Sequence, residues 1–253
     1  MCTVTVIPSG AAVRMVASRD ELRSRPRALP PREVKLSSGG HAVFPVDPIS
    51  VDDMPGTWIA ASDAGLVLTL LNGNPSPPVD LPPKDALQSR GTLIPNLIDQ
   101  PDAHSAIKAL SSVAFDCFAP FRLIAVDSSI IIDAIWNRSE LTVSHHLLKP
   151  ICFASSGLGD ELVQVRLPLF AQLCNNRQMS PEAQDEFHAH RWPDRPHLSV
   201  MMERDDARTV SVTSVDVDQS GVTLRYTDLF DAVPIVTEHH LPAPARLTSV
   251  RSA

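Results

Sequence analysis

The sequence predicts an α+β fold, a four-layer α-β-β-α sandwich of antiparallel sheets, and three observations point to it. Strand-like runs rich in β-branched residues arrive in consecutive pairs joined by turn residues, the mark of hairpins and not of βαβ units. Helical patterns come as two pairs, each set between groups of strands. With 43% hydrophobic and 20% charged residues in 253, the chain carries enough apolar surface for a large core, so we expect one domain spanning 1–253.

The first hairpin is read from Cys2-Thr3-Val4-Thr5-Val6-Ile7, which alternates, Pro8-Ser9-Gly10, which is turn chemistry, and a returning strand over 11–18. A three-residue loop pairs Ile7 with Ala11 and Cys2 with Val16, leaving Arg19 and Asp20 just past the strand end, within reach of the cysteine. A second hairpin, 56–62 with 65–72, turns at Ser62-Asp63-Ala64-Gly65, and both hairpins are expected in one sheet. Twenty-three prolines stand against ten glycines. The stretches 26–32 and 74–83 therefore read as extended connectors, because proline removes a ladder donor and restrains its predecessor. The second follows Asn72 directly and forms either one wall of a cleft or a plain surface connection. Helices are expected at 85–98 and 103–112, then strands at 122–126, 130–136 and 140–146. Further helices follow at 162–175 and at 181–190, the latter capped by Ser180. Strands at 198–203, 208–216, 222–226 and 234–239 close an antiparallel meander through turns at Asp205-Asp206-Ala207 and Gln219-Ser220-Gly221.

Composition removes several function classes. A formal net charge of −7 with scattered lysine and arginine leaves no footprint for nucleic acid or an anionic membrane surface. No apolar run approaches the roughly 20 residues needed to span a bilayer, and no leader pattern opens the chain, so a cytoplasmic location is expected. Cys2, Cys117, Cys152 and Cys174 show no CxxC spacing and suggest thiols rather than a disulfide framework. His188 and His190 diverge on a helix, while His145-His146 and His239-His240 point to opposite strand faces, so no metal site is expected.

The chemistry concentrates at Cys2. If Met1 is removed, a thiol and a free α-amine with a reference pKa of about 7.7–8.0 share one residue, and the amine can take the thiol proton. Arg19 would favour the thiolate and Asp20 would orient the ammonium or a substrate group. The plainer alternative is a cysteine opening a buried strand, with Ser18-Arg19-Asp20-Glu21 as a solvated hairpin cap. Asn72, ending an apolar strand before Gly73, is either an oxyanion donor or turn chemistry.

Cys2-Thr3-Val4, the Ser18-Arg19-Asp20-Glu21 tetrad, Gly56-Thr57-Trp58-Ile59-Ala60, Leu70-Leu71-Asn72, Ser89-Arg90-Gly91 and Ser155-Ser156-Gly157-Leu158-Gly159 together resemble the NRDE family, which includes the transport and Golgi organisation protein 2 of eukaryotes. Ser18 stands where the family's asparagine does. The resemblance implies an N-terminal nucleophile hydrolase-like fold. It also implies that Asn72 matches the oxyanion asparagine of choloylglycine hydrolases and penicillin V acylases. Their second asparagine falls at Ser155-Ser156, whose hydroxyls and loop N–H groups would contact substrate, and Arg166 stands in for a later active-site arginine. Two functions follow. One is a cysteine hydrolase of an amide or thioester (acyl) bond that needs no cofactor. The other is a non-catalytic binder of haem, acyl-CoA or lipid in the same cleft, in which Cys2 would ligate the haem iron.

Overall fold

A computed structural model of the chain describes residues 2–9, 12–48, 56–176 and 179–244. A six-stranded sheet has the order β10 (Ile151–Ser155), β1 (Cys2–Ser9), β2 (Ala12–Leu22), β11 (Ala207–Asp218), β12 (Gly221–Asp228), β13 (Ile235–Pro242). A seven-stranded sheet runs in chain order through β3 (Leu29–Lys35), β4 (His41–Val46), β5 (Ile59–Ser62), β6 (Val67–Asn72), β7 (Phe121–Val126), β8 (Ile130–Trp136) and β9 (Leu141–Leu147). All strand pairs are antiparallel.

Strand alternation builds the layers. Val4, Val6, Met15 and Ala17 point from the six-stranded sheet to meet Ile59, Val67, Leu71 and Ile124 of the seven-stranded sheet in an inter-sheet core. The opposite faces carry helices. α1 (Leu93–Leu97) and α2 (Ala103–Leu110) cover Leu68, Leu123 and Ile132 of the seven-stranded sheet. α3 (Arg166–Asn176) and α4 (Pro181–His188) cover the six-stranded sheet through Phe170 and Phe187, packed on Ile7 and Cys152. The α-β-β-α sandwich expected from the hairpin pattern is the observed architecture. Ser180 caps α4 as expected, its hydroxyl accepting the Ala183 N–H.

Several elements differ from the sequence reading. The hairpins β1–β2 and β5–β6 lie in different sheets, because a further hairpin, β3–β4, intervenes and begins the second sheet. β3 runs through Pro30 and Pro31, where a connector was expected. It is an edge strand with a register shift between Leu29 and Arg32, the setting in which a sheet tolerates proline. β10 also went unanticipated. The helix expected at 85–98 is two 3₁₀ turns followed by α1, with Gly91 packed on the Thr57 backbone. The strand expected at 198–203 is irregular chain whose Val200 and Met202 are buried. The Met202 N–H is satisfied by Thr209 Oγ1 and not by a ladder partner. The turn at 62–65 forms as expected, with Gly65 at φ +86°, a conformation glycine adopts without strain.

Candidate active site

The β1–β2 ladder pairs Ser9 with Ala12 and Cys2 with Arg19, three residues away from the expected register. β1 continues through Pro8, which is accommodated because β10 stops pairing with β1 at Val6. The Gly10 and Ala11 of the expected turn lie outside the described residues. An odd shift exchanges faces, so Arg19 joins Cys2 on the inner face and the Asp20 side chain turns to the helix side. The ladders then align Ser155, Cys2, Arg19, Ser211 and Asp228 in one row across five strands. The next inner row, Phe153, Val4, Ala17, Thr213 and Tyr226, is largely apolar and buried. The site is therefore the place where the inter-sheet core reaches its rim.

A cleft of about 270 Å³ opens there, lined by Cys2, Arg19, Glu21, Asp47, Trp58 and Asn72 among others. The Arg19 guanidinium stacks 4.2 Å from the Trp58 ring centroid, and its Nη2 lies 3.2 Å from Glu21 and 3.4 Å from Asp47. Arg25 joins the same acids, with Nη2 2.6 Å from Asp47 Oδ2. This network holds Arg19 in one place beside the thiol.

Burial pushes the Cys2 thiol above its ordinary range. The charge of the chain's α-ammonium opposes this most strongly, the Asp20 carboxylate adds to the rise, and the Asp20 backbone N–H and Arg19 pull the thiol down. Arg19 thus acts in the expected direction, but burial outweighs it, and the resting residue is a thiol at neutral pH. A nucleophile in this state needs a base.

Asp20 lines the cleft, yet its carboxylate is gripped from the helix side. Thr209 Oγ1 donates to Oδ1 at 2.6 Å and Arg166 Nη1 lies 3.9 Å from Oδ2. Burial raises the Asp20 carboxyl and lowers Arg166, each opposed by the other's charge. Arg166, expected to contact substrate, is fully buried instead. It donates to the Leu198 and Ser199 carbonyls and to Thr3 Oγ1, tying α3 to the back of β1. Ser18 faces the same layer, 2.7 Å from His188 Nδ1, and Thr5 Oγ1 lies 2.7 Å from His188 Nε2.

Asn72 ends β6 and lines the cleft from the opposite sheet. Ser155 sits opposite Cys2, and its buried hydroxyl has no hydrogen-bond partner among the described residues. The Ser156 N–H is taken by Asp160 Oδ1 at 2.8 Å, and its hydroxyl accepts from the Leu158 N–H. Ser156 therefore offers no free N–H for an oxyanion. Asp160 also binds the Asn74 backbone and side chain, joining the proline-rich stretch to the loop after β10. Among the described residues no cluster of three or more His, Cys, Asp or Glu is arranged to hold a metal.

Sequence reasoning missed Trp58, Glu21, Asp47, Arg25 and Arg90 as lining residues. The signal for two of them was present, since Trp58 and Arg90 each lie beside a glycine-containing motif, and Gly91 packs on Gly56 and Thr57 to bring those motifs together.

The family model Transport and Golgi organisation 2 matches residues 1–200. The chain belongs to that family. No curated protein matches it significantly. Among solved structures, penicillin V acylase from Agrobacterium tumefaciens is similar at a TM-score of 0.58 and 13% identity, covering 95% of this chain and 86% of its own. A mutant of conjugated bile acid hydrolase from Clostridium perfringens gives 0.57 and 10%, covering 94% and 92%. A second variant of that hydrolase gives 0.56 and 10%, with the same coverage. At these identities the likeness shows the fold, which is that of N-terminal nucleophile hydrolases. Among the described residues no helix is long and apolar enough to cross a membrane.

Proposed function

We propose that this Transport and Golgi organisation 2 family member is an N-terminal cysteine hydrolase of an amide or thioester bond, with Cys2 as nucleophile once Met1 has been removed. The observation that carries the reading is the rim row, which sets Cys2 between Ser155 and Arg19 with Asn72 facing the cleft from the other sheet. Sulfur attacks the acyl carbonyl carbon while the Cys2 amine accepts the thiol proton. The side-chain amide of Asn72 donates to the developing oxyanion. The bond to the leaving amine or thiol breaks, and the ammonium returns the proton to that group. Water then attacks the thioester carbonyl, giving its proton to the amine; the C–S bond breaks, the ammonium returns that proton to the Cys2 sulfur, and the acid leaves. Because the half-buried thiol is hard to ionise, proton transfer and attack occur together, and the amine is the base at hand. Asp20, fixed by Thr209 and Arg166, and the unpartnered hydroxyl of Ser155 are the groups beside the amine that orient it.

The haem-binding alternative receives less support. A haem would have to enter a cleft of about 270 Å³ lined by arginines and carboxylates. Drug-sized ligands alone occupy roughly 300–1,000 Å³ of mostly apolar pocket. The charged residues do not suit a porphyrin face, and titration with haem is expected to give no Soret shift that depends on Cys2. Action in the cytoplasm is retained as part of the proposal.

Turnover of acyl amides and acyl thioesters by Met1-free protein tests the reading. Cys2→Ala should reduce kcat/KM by about 10³-fold or more, the scale seen when a nucleophile is deleted. Full turnover by that variant would remove Cys2 from the mechanism.

A further inference from the structure

Arg90 is a charged cleft residue that the mechanism does not use. Its Nη1 donates to the Pro120 carbonyl at 2.8 Å, and among the described residues no carboxylate lies within ion-pair distance of its guanidinium. The other cleft arginines are neutralised, Arg19 and Arg25 by Glu21 and Asp47, while Asp20 is met from behind by Arg166. Among the described residues one positive charge is left over in the cleft that holds Cys2. Burial disfavours it, and the charge of a Cys2 thiolate is among the influences that favour it. A desolvated cation without a counter-charge is costly unless a ligand supplies one.

A second cavity is lined by chain neighbours of the cleft residues. Asn72 lines the cleft and Gly73 the trough, as do Ala119 and Pro120 in turn. This trough, of about 320 Å³, is mostly apolar, with Pro75, Pro78, Val79 and Leu81 on one side and Leu158 on the other. The Asp160 bonds to Asn74 and Ser156 fix its two walls together.

We infer that the site takes an acylated amine whose apolar acyl chain lies in the trough and whose leaving amine carries a carboxylate bound by Arg90. A single carboxylate matches the single surplus charge, whereas a dianionic phosphate would leave one negative charge unmatched. The inference rests on the hydrolase reading for its scissile amide, but its test is a binding measurement and does not depend on turnover.

The probes are decanoyl-glycine, decanoyl-glycinamide and acetyl-glycine, titrated calorimetrically into Cys2→Ala protein. Decanoyl-glycine should bind about tenfold or more tightly than the neutral glycinamide, the scale of a hydrogen bond to a charged group. Shortening the acyl chain to acetyl should cost about tenfold or more, since each buried methylene contributes about 0.8 kcal/mol. In the same background Arg90→Gln should abolish the carboxylate preference while leaving glycinamide affinity unchanged, which also reports an intact cleft. Arg90→Lys, which keeps the charge, should retain part of the preference. Equal binding of acid and amide, or a preference that survives Arg90→Gln, overturns the carboxylate assignment. Equal binding of the acetyl and decanoyl compounds overturns the trough. If decanoyl-glycine binds as described but Met1-free Cys2 protein does not cleave it, the hydrolase reading fails and the subsite stands.

Discussion

His188 shows how a single buried group carries a pH signature. Burial, reinforced by Arg14 and Arg166, pushes its ring down to about 3, so it is neutral in the folded protein. The unfolded chain, with a histidine pKa near 6.5, binds a proton that the folded state refuses between about pH 6.5 and 3. The stabilisation from a neutral His188 is therefore complete above about pH 6.5 and declines as pH falls, by up to about 1.4 kcal/mol per pH unit. Denaturant unfolding at pH 7 and pH 5 should show His188→Gln losing less stability on acidification than the parent, and parallel losses would contradict this. The thiol is the other residue that burial decides. Cys2 was legible as a candidate nucleophile from its position next to Met1 and from the Arg-Asp pair. Its raised pKa was not, because nothing in the local sequence says how deeply the first strand of a sheet is buried.

At the scale of elements, register decides which residues form the site. The pairing of β1 with β2 was legible from alternation and turn residues, but a shift of three residues separates Cys2↔Val16 from the observed Cys2↔Arg19. Proline at position 8 read as turn chemistry, and only the early end of β10 shows why it can remain in a strand. The same parity change assigns Asp20 to α3 and Arg166. An Arg166→Leu substitution leaves a buried carboxylate and two carbonyls without their cation, and should destabilise the fold by about 3–5 kcal/mol. Combining it with Asp20→Asn should recover a substantial part of that loss in urea melts. A simple sum of the two single losses would contradict the coupling of α3 to β2.

At the scale of the whole molecule, the layer order was legible and the sheet membership was not. Hairpins specify neighbours within a sheet, whereas the choice of sheet depends on β3–β4, whose prolines hid them. The cleft depends on that choice. Cys2 and Arg19 come from one sheet, Asn72 and Trp58 from the other side, and Arg90 from a 3₁₀ turn between β6 and β7. Residues this far apart in sequence converge only when two sheets pack face to face, so the anion-facing side of the site could not be read from spacing. In the proposed mechanism the site also requires removal of Met1, because the proposed base is the amine that this exposes.

The most direct test is intact-mass and peptide analysis of purified protein after incubation with a decanoyl thioester and an acid quench. The expected result is a chain lacking Met1 that carries one decanoyl group, located on Cys2. Turnover by protein that retains Met1, or an acyl group found on another residue, would contradict the central claim.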